Sequence, residues 1–164
     1  MIGKVVAVCR SEKKGIRKRN VGEACLIEDF GIENDAHAGN WHRQVSFLAE
    51  ESIEKARKKW GLNVSYGDFA ENIATTGLDL LTLPIGSQLK IGDEALVEIT
   101  QKGKKCHAGC QILKLTGKCI FPLEGIFGRV LRSGVVRMGD IISVISVEQQ
   151  VPGMGCQSRN ESDI

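Results

Sequence analysis

Short apolar runs rich in β-branched residues, divided by glycine-bearing turns, recur along nearly the whole chain and narrow its architecture more than any other feature. The segments GKVVAVC, ACLIEDFGI, SQLKIGD, EALVEITQK and DIISVISVE read as strands, several of them alternating or nearly so. Nineteen glycines supply the turns between them. Evenly spaced short strands without repeated βα units favour a barrel or a sandwich, so the expected class is mainly β with a few helices.

One helix interrupts the pattern. From Ser46 to Trp60, Ala49, Ile53, Ala56 and Trp60 recur at spacings of four, three and four, while Glu51 with Lys55 and Glu54 with Lys58 form i,i+4 pairs. Ser46 is the expected N-cap and Gly61 the expected stop. Further helical turns are expected around Gln111 to Leu115 and around Gly125 to Arg132. The segment EQQVPGMGCQSRNESDI, residues 148–164, has no periodicity and reads as a flexible tail behind a single domain at 1–147.

A chain of 164 residues supports one full core. No apolar run approaches the ~20 residues of a membrane span, and MIGKVVAVCR lacks the cleavage site of a signal peptide, so a cytoplasmic protein without membrane contact is expected. In that compartment the six cysteines should be reduced thiols. A net charge of +2 does not suggest a nucleic-acid partner. The positive charge is nonetheless clustered: Lys13, Lys14, Arg17, Lys18 and Arg19 crowd one loop, and Lys102, Lys104 and Lys105 precede Cys106. Two such loops could share one anion.

The stretch KGKKCHAGCQILKLTGKC, residues 102–119, holds three thiols and an imidazole. Thiol spacings of four and nine, with His107 alone beside them, do not match a structural zinc site, and the second group, Asp35, His37 and His42, has no better spacing. A stabilised thiolate is the stronger chemistry for Cys106, because Lys104, Lys105 and His107 would depress its pKa at a strand end. Cys110, Cys119, Cys9 and Cys25 read instead as small packed hydrophobes, and Cys156 in the tail as incidental. The basic loop SEKKGIRKRN is either a solvated connection or a turn that approaches a phosphate, with Lys14 and Lys18 as its candidate ligands. Arg43, just before the expected helix start, would add a guanidinium fork to free backbone N–H groups.

The ordered set GIENDAHAG (31–39), WHRQVS (41–46), YGDFAENIATTGLDL (66–80), LPIGSQLKIGDEALVEITQKGKKCH (83–107) and GIFGRVLRSGVVRMGD (125–140) resembles the MOSC family, named from the C-terminal domain of molybdenum cofactor sulfurase. The resemblance runs from about Gly3 to Val147 and is nearest to small standalone prokaryotic members. It implies a barrel-like β fold and a role with the molybdenum cofactor, as a carrier of persulfide sulfur or as a holder of the pterin whose cysteine ligates molybdenum. The family's key cysteine falls on Cys106, His37 on its D-x-H-x-G match, Asn72 on G-D-x-x-E-N, and Arg129 on G-x-x-x-R-V-L. Where the family often has Gly-Asp before the His motif, this chain has Asn34-Asp35.

On this resemblance Lys14, Lys18 and Arg43 would neutralise the pterin phosphate, Asn72 and Arg129 would orient the pterin or its pocket wall, and His37 would hydrogen-bond nearby. The chain has no room for a pyridoxal-phosphate desulfurase domain, so a sulfur-carrying Cys106 would need a separate cysteine desulfurase or a molybdopterin-synthesis protein as partner. Two rival expectations are a non-catalytic module that stores or docks the cofactor, and a molybdenum-dependent reductase of N-hydroxylated compounds served by external electron donors.

Overall fold

The computed structural model describes residues 1–105, 114 and 117–145. Cys106, Cys110, the helical turn expected at Gln111 to Leu115, and the tail 148–164 therefore lie outside, or almost wholly outside, the described residues. Seven strands close into a barrel: β1 (Ile2–Arg10), β5 (Val45–Ala49), β6 (Ile73–Thr76), β7 (Gln88–Ile91), β8 (Ala95–Lys102), β9 (Ile126–Arg132) and β11 (Ile141–Ile145). The ring runs β11, β7, β8, β9, β5, β6, β1 and closes when β1 pairs β11, Gly3 lying opposite Ile142. The two-residue β2 (Arg19–Asn20) hangs on the end of β1. A separate three-stranded sheet joins β3 (Glu23–Ile27), β4 (Gly31–Ile32) and β10 (Gly134–Arg137).

The five expected strands are all present, β3 and β4 together covering most of ACLIEDFGI. Within the barrel three others, β5, β6 and β9, escape the sequence pattern. β5 occupies Val45–Ala49, where a helix start was expected; helix α1 (Glu50–Trp60) begins only after it, so Ser46 caps nothing. Gly61 does end the helix, in the left-handed conformation at φ 63°. The helix lays Glu50 and Glu51 at its N-terminus and Arg57, Lys58 and Lys59 at its C-terminus, in the sense its dipole favours. Its ion pairs differ from the expected ones: Glu54 meets Arg57, and Lys55 reaches Glu124.

The segment expected to be helical at Gly125 to Arg132 is strand β9. Its apolar residues crowd at the start because both faces of β9 are covered over residues 126–128, by the barrel interior on one side and by the short helix α2 (Phe121–Glu124) and neighbouring aromatics on the other. The same reasoning explains β5, whose first four residues are all buried with α1 packed outside it. β5 and β6 are the parallel pair of the barrel, and α1 lies in the crossover that such a pair requires. At Gly128 even a Cβ would fall 2.5 Å from Val97 Cγ1 and 2.8 Å from the Glu98 carbonyl oxygen, so β8 and β9 close together only over a glycine. The register slips twice along this pair, which bends the sheet toward closure.

Two apolar clusters result. Val5, Phe47, Ile73, Leu89, Val97 and Ile99 help to fill the barrel, while Leu48, Ile53, Ala56, Phe69, Phe121 and Phe127 seal its outer wall beneath α1 and α2. Among the described residues no helix is long and apolar enough to cross a membrane.

Candidate functional site

Buried polar residues gather at one place, where the loop after β1 meets the loop before β5. Lys18 is only 3% exposed, and its ammonium reaches three acceptors: Asp35 Oδ1 at 2.7 Å, Ser11 Oγ at 3.1 Å and His37 Nδ1 at 2.9 Å. An ammonium has three protons, so the arrangement consumes them all. Asp35 is equally occupied, accepting from Lys18 and from the Ser11 and His37 backbone N–H groups. Burial pushes the Asp35 carboxyl upward, yet the Lys18 charge and these donors outweigh it and hold it below its ordinary value. Burial lowers the Lys18 ammonium, with Asp35 opposing that shift.

Local geometry makes this pair possible. Gly67, at φ 88°, accepts from Lys18 N–H at 2.8 Å, and a Cβ there would lie 2.1 Å from the Lys18 carbonyl oxygen. Only glycine permits that approach. Asn34 adopts φ 63°, the left-handed region that asparagine tolerates better than most residues, which explains how Asn34-Asp35 serves where the family often has Gly-Asp.

The consequence for His37 is chemical. Its Nδ1 faces an ammonium, so Nδ1 must be the acceptor and the neutral ring carries its proton on Nε2. Burial, followed by the Lys18 charge, pulls its pKa down to about 4. His37 is thus a neutral hydrogen-bond donor through Nε2 near neutral pH, and neither a cation nor a base.

From His37 a line of alternating rings and cations runs outward. Trp41 lies nearly parallel to His37, with interplanar angle 10° and centroids 6.5 Å apart, and donates Nε1–H to the His37 carbonyl at 2.7 Å. Lys14 Nζ stands 4.6 Å and Arg43 Cζ 4.5 Å from the Trp41 ring centre. Arg43 also lies 5.5 Å from Phe127, whose ring meets Phe121 edge-on, and Lys104 stands 5.4 Å from Phe121. The backbone N–H of Lys104 is pinned to the Pro122 carbonyl at 3.0 Å, fixing the end of β8 beside this rim. Lys14 from one basic loop and Lys104 from the other stand on the same line of rings, so the two basic loops do converge. Cations held over aromatic faces are partly satisfied there yet remain free to meet an anion.

The remaining expectations for the site change in position or surroundings. Arg43 precedes a strand and not a helix, so no helix N-terminus assists it. Asn72 is fully buried and ties three elements together: its Oδ1 accepts from Ser46 N–H and O–H, its N–H donates to Ser46 Oγ, and its Nδ2 donates to the Cys9 carbonyl. It braces the wall of the site from inside. Arg129 is on the outer face of β9, 3.7 Å from Asp29, and does not join the rim. Glu71 is buried with Oε1 accepting from Gly67 N–H and Oε2 unpartnered; burial raises its pKa to about 7.

Cys9 is buried and its thiol is pushed up to about 12, chiefly by burial, which suits packing and not chemistry. Cys25 corrects the expectation made for it: it is exposed, because Ala24 and Leu26 take the inward positions of β3. Cys119 is half-buried against the outer apolar cluster. No group of three or more His, Cys, Asp or Glu side chains among the described residues could hold a metal ion, so Asp35, His37 and His42 form no such site. Trp41, which joins these groups, went unnoticed in the sequence; its signal was one aromatic residue set between basic loops in WHR.

The MOSC domain model matches residues 34–143, which hold most of the barrel together with Asp35, His37, Trp41, Arg43 and Asn72. The chain belongs to the MOSC domain family. The structure of the YuaD protein from Bacillus subtilis superposes with a TM-score of 0.75 at 20% identity, over 88% of this chain and 96% of that one. YiiM from Geobacillus stearothermophilus gives 0.67 at 20% identity over 88% and 75% of the two chains, and YiiM from Escherichia coli 0.60 at 24% over 89% and 70%. Identities this low speak for the fold alone. No curated protein matches the chain in sequence.

Proposed function

We propose that this MOSC domain works with the molybdenum cofactor in the cytoplasm, holding the cofactor's anionic pterin at the rim around Trp41 and using the Cys106 thiolate to carry persulfide sulfur or to ligate molybdenum. The observation that carries the reading is the convergence of Lys14, Arg43 and Lys104 on one line of aromatic rings that begins at a donor-only His37. Such a donor set fits a planar, phosphate-bearing ligand: cations and an imidazole N–H for the oxygens, an indole face for the ring system. When bound, the molybdenum would supply the sulfur-accepting or thiolate-binding centre. Lys14, Arg43 and Lys104 would neutralise phosphate, and His37 would donate from Nε2 to a ligand oxygen. Lys18 and Asn72, both buried, would serve by positioning His37 and the wall behind it. Cys106 follows Lys104 by two residues in the sequence.

In the sulfur-carrier form, the Cys106 thiolate attacks the terminal sulfur of a partner desulfurase's persulfide. The partner's S–S bond breaks, its thiolate leaves with the electron pair, and a new S–S bond forms on Cys106 with no external oxidant. Incubation with a cysteine desulfurase and cysteine should therefore add one sulfur atom to the protein by mass spectrometry, and Cys106→Ser should stay unmodified. Pterin binding, followed by quenching of Trp41 fluorescence, should weaken in Arg43→Ala. A protein that gains no sulfur and binds no pterin would overturn the reading. Because every described rim group binds and none can act as a base, a holding module is the second reading; pterin binding that persists without any sulfur uptake would select it.

A further inference from the structure

A cleft of about 720 Å³ opens where β1 ends and β2 begins. Arg10, Arg17 and Arg19 line it, with Ser11, Ile16 and Asn34 among its other walls. Arg10 and Arg19 are direct partners in the antiparallel ladder. Residues placed so project to the same face of the sheet with Cβ atoms roughly 4.5–5.5 Å apart, where like charges destabilise the pair.

Among the described residues neither Arg10 nor Arg19 has an ion pair to offset that repulsion. The Arg10 guanidinium makes one long contact, 3.4 Å, to the Glu33 carbonyl; Arg17 stands 4.0 Å from Asp68; and Arg19 forms no ion pair or side-chain hydrogen bond among the described residues. Two acids share the lining, Glu12 and Asp35, and Asp35 already belongs to Lys18. A chain with 20 acidic residues has ample means to neutralise three arginines, yet here they converge on open volume. A cleft of several hundred Å³ is of the size that takes a small organic ligand. Planar guanidinium forks suit phosphate oxygens, two groups side by side suiting two linked phosphates.

We propose that this cleft binds the diphosphate group of a small molecule, Arg10 and Arg19 together gripping the two phosphates and Arg17 closing the mouth. The ligand relieves the like-charge pair, which is why the fold retains it. The site is separate from the Trp41 rim, since none of Lys14, Arg43 and Lys104 lines it. The inference does not rest on the cofactor reading.

Calorimetric titration of the full chain with pyrophosphate at low ionic strength tests it. Pyrophosphate should bind, orthophosphate should bind less tightly, and Arg19→Ala should weaken pyrophosphate by roughly tenfold or more, the size of one lost charge-assisted contact. Ligand-free Arg19→Ala should melt no lower than the parent, because the substitution removes a repulsion. ADP as a second titrant distinguishes the sources: tighter binding than pyrophosphate supports an esterified diphosphate, weaker binding a free one. Failure of both to bind, equal binding of orthophosphate, or an Arg43→Ala variant that weakens pyrophosphate as much as Arg19→Ala would each overturn the proposal, the last by moving the anion to the rim.

Discussion

The barrel interior and the loop hub at its mouth are both sealed from water, and they are held by opposite kinds of force. Inside the barrel, Phe47, Ile73, Val97 and their neighbours contribute through apolar burial, which is non-directional and tolerates swaps of similar volume. At the hub, Lys18, Asp35 and Asn72 are equally buried but stand on directed contacts, each donor matched to one acceptor. Such a network adds little net stability over an apolar replacement and is costly to leave half-made. What it does here is fix the proton position and orientation of His37. The barrel makes the protein fold; the hub sets the hydrogen-bond donor that its mouth presents.

The largest expected effect sharpens this contrast. Asp35→Ala leaves the Lys18 charge buried and unpaired and should destabilise the protein by about 3–5 kcal/mol in urea unfolding. Replacing both partners, Lys18→Met with Asp35→Leu, should recover most of that loss, while the His37 pKa, followed by NMR, rises only slightly from about 4, because burial, its largest cause, remains and the opposing Asp35 charge is lost with Lys18. If Asp35→Ala costs only the ~0–1 kcal/mol of an exposed pair such as Arg137 with Glu23, the hub is not the specific device described.

A second, smaller effect concerns pH. Folded Glu71 keeps its proton up to about 7, against an ordinary value of 4.5, so its contribution to stability is present below 4.5 and is lost as pH rises through 7. His37 has the opposite sign: its pKa is depressed, and its contribution is present above 6.5 and lost as pH falls through about 4. Glu71→Gln keeps an acceptor for Gly67 N–H and should remove the loss on the alkaline side, on the order of 2–3 kcal/mol between pH 4.5 and 7. Unfolding free energies across that range check it; an unchanged slope would show that Glu71 is already ionised in the fold.

The smallest effect leaves stability almost untouched. Cys25, on the outer side of β3, should be alkylated by a thiol reagent in the native state while Cys9 reacts only on unfolding, as peptide mass spectrometry would show. Equal labelling would mean that the barrel wall opens around Cys9.

The chain's strands were most legible where one face meets solvent. SQLKIGD and EALVEITQK alternate because polar residues mark the outer face, and both appear as strands. VSFLA and the first residues of IFGRVLR do not alternate, since helices and aromatic rings cover their outer faces there; stripped of the period-two signal, they imitate a helix. At the site, Lys14, Arg43 and His37 could be named from charge, motif and resemblance, and they do converge. Lys18 could be named but not understood, because no one-dimensional pattern shows that its three protons are spent on Asp35, Ser11 and His37.

The amino-acid sequence by itself determined the β-rich class, the glycine turns, the stop of α1 at Gly61 and the clustering of cations in two loops, because propensity, periodicity and charge are local properties. Only the tertiary structure decided which cations are buried and which are free, that Trp41 joins them, and that Arg10 faces Arg19 across a ladder. Hydrogen-bond pairing and desolvation depend on which residues meet across the fold, and closing the barrel is what brings them together.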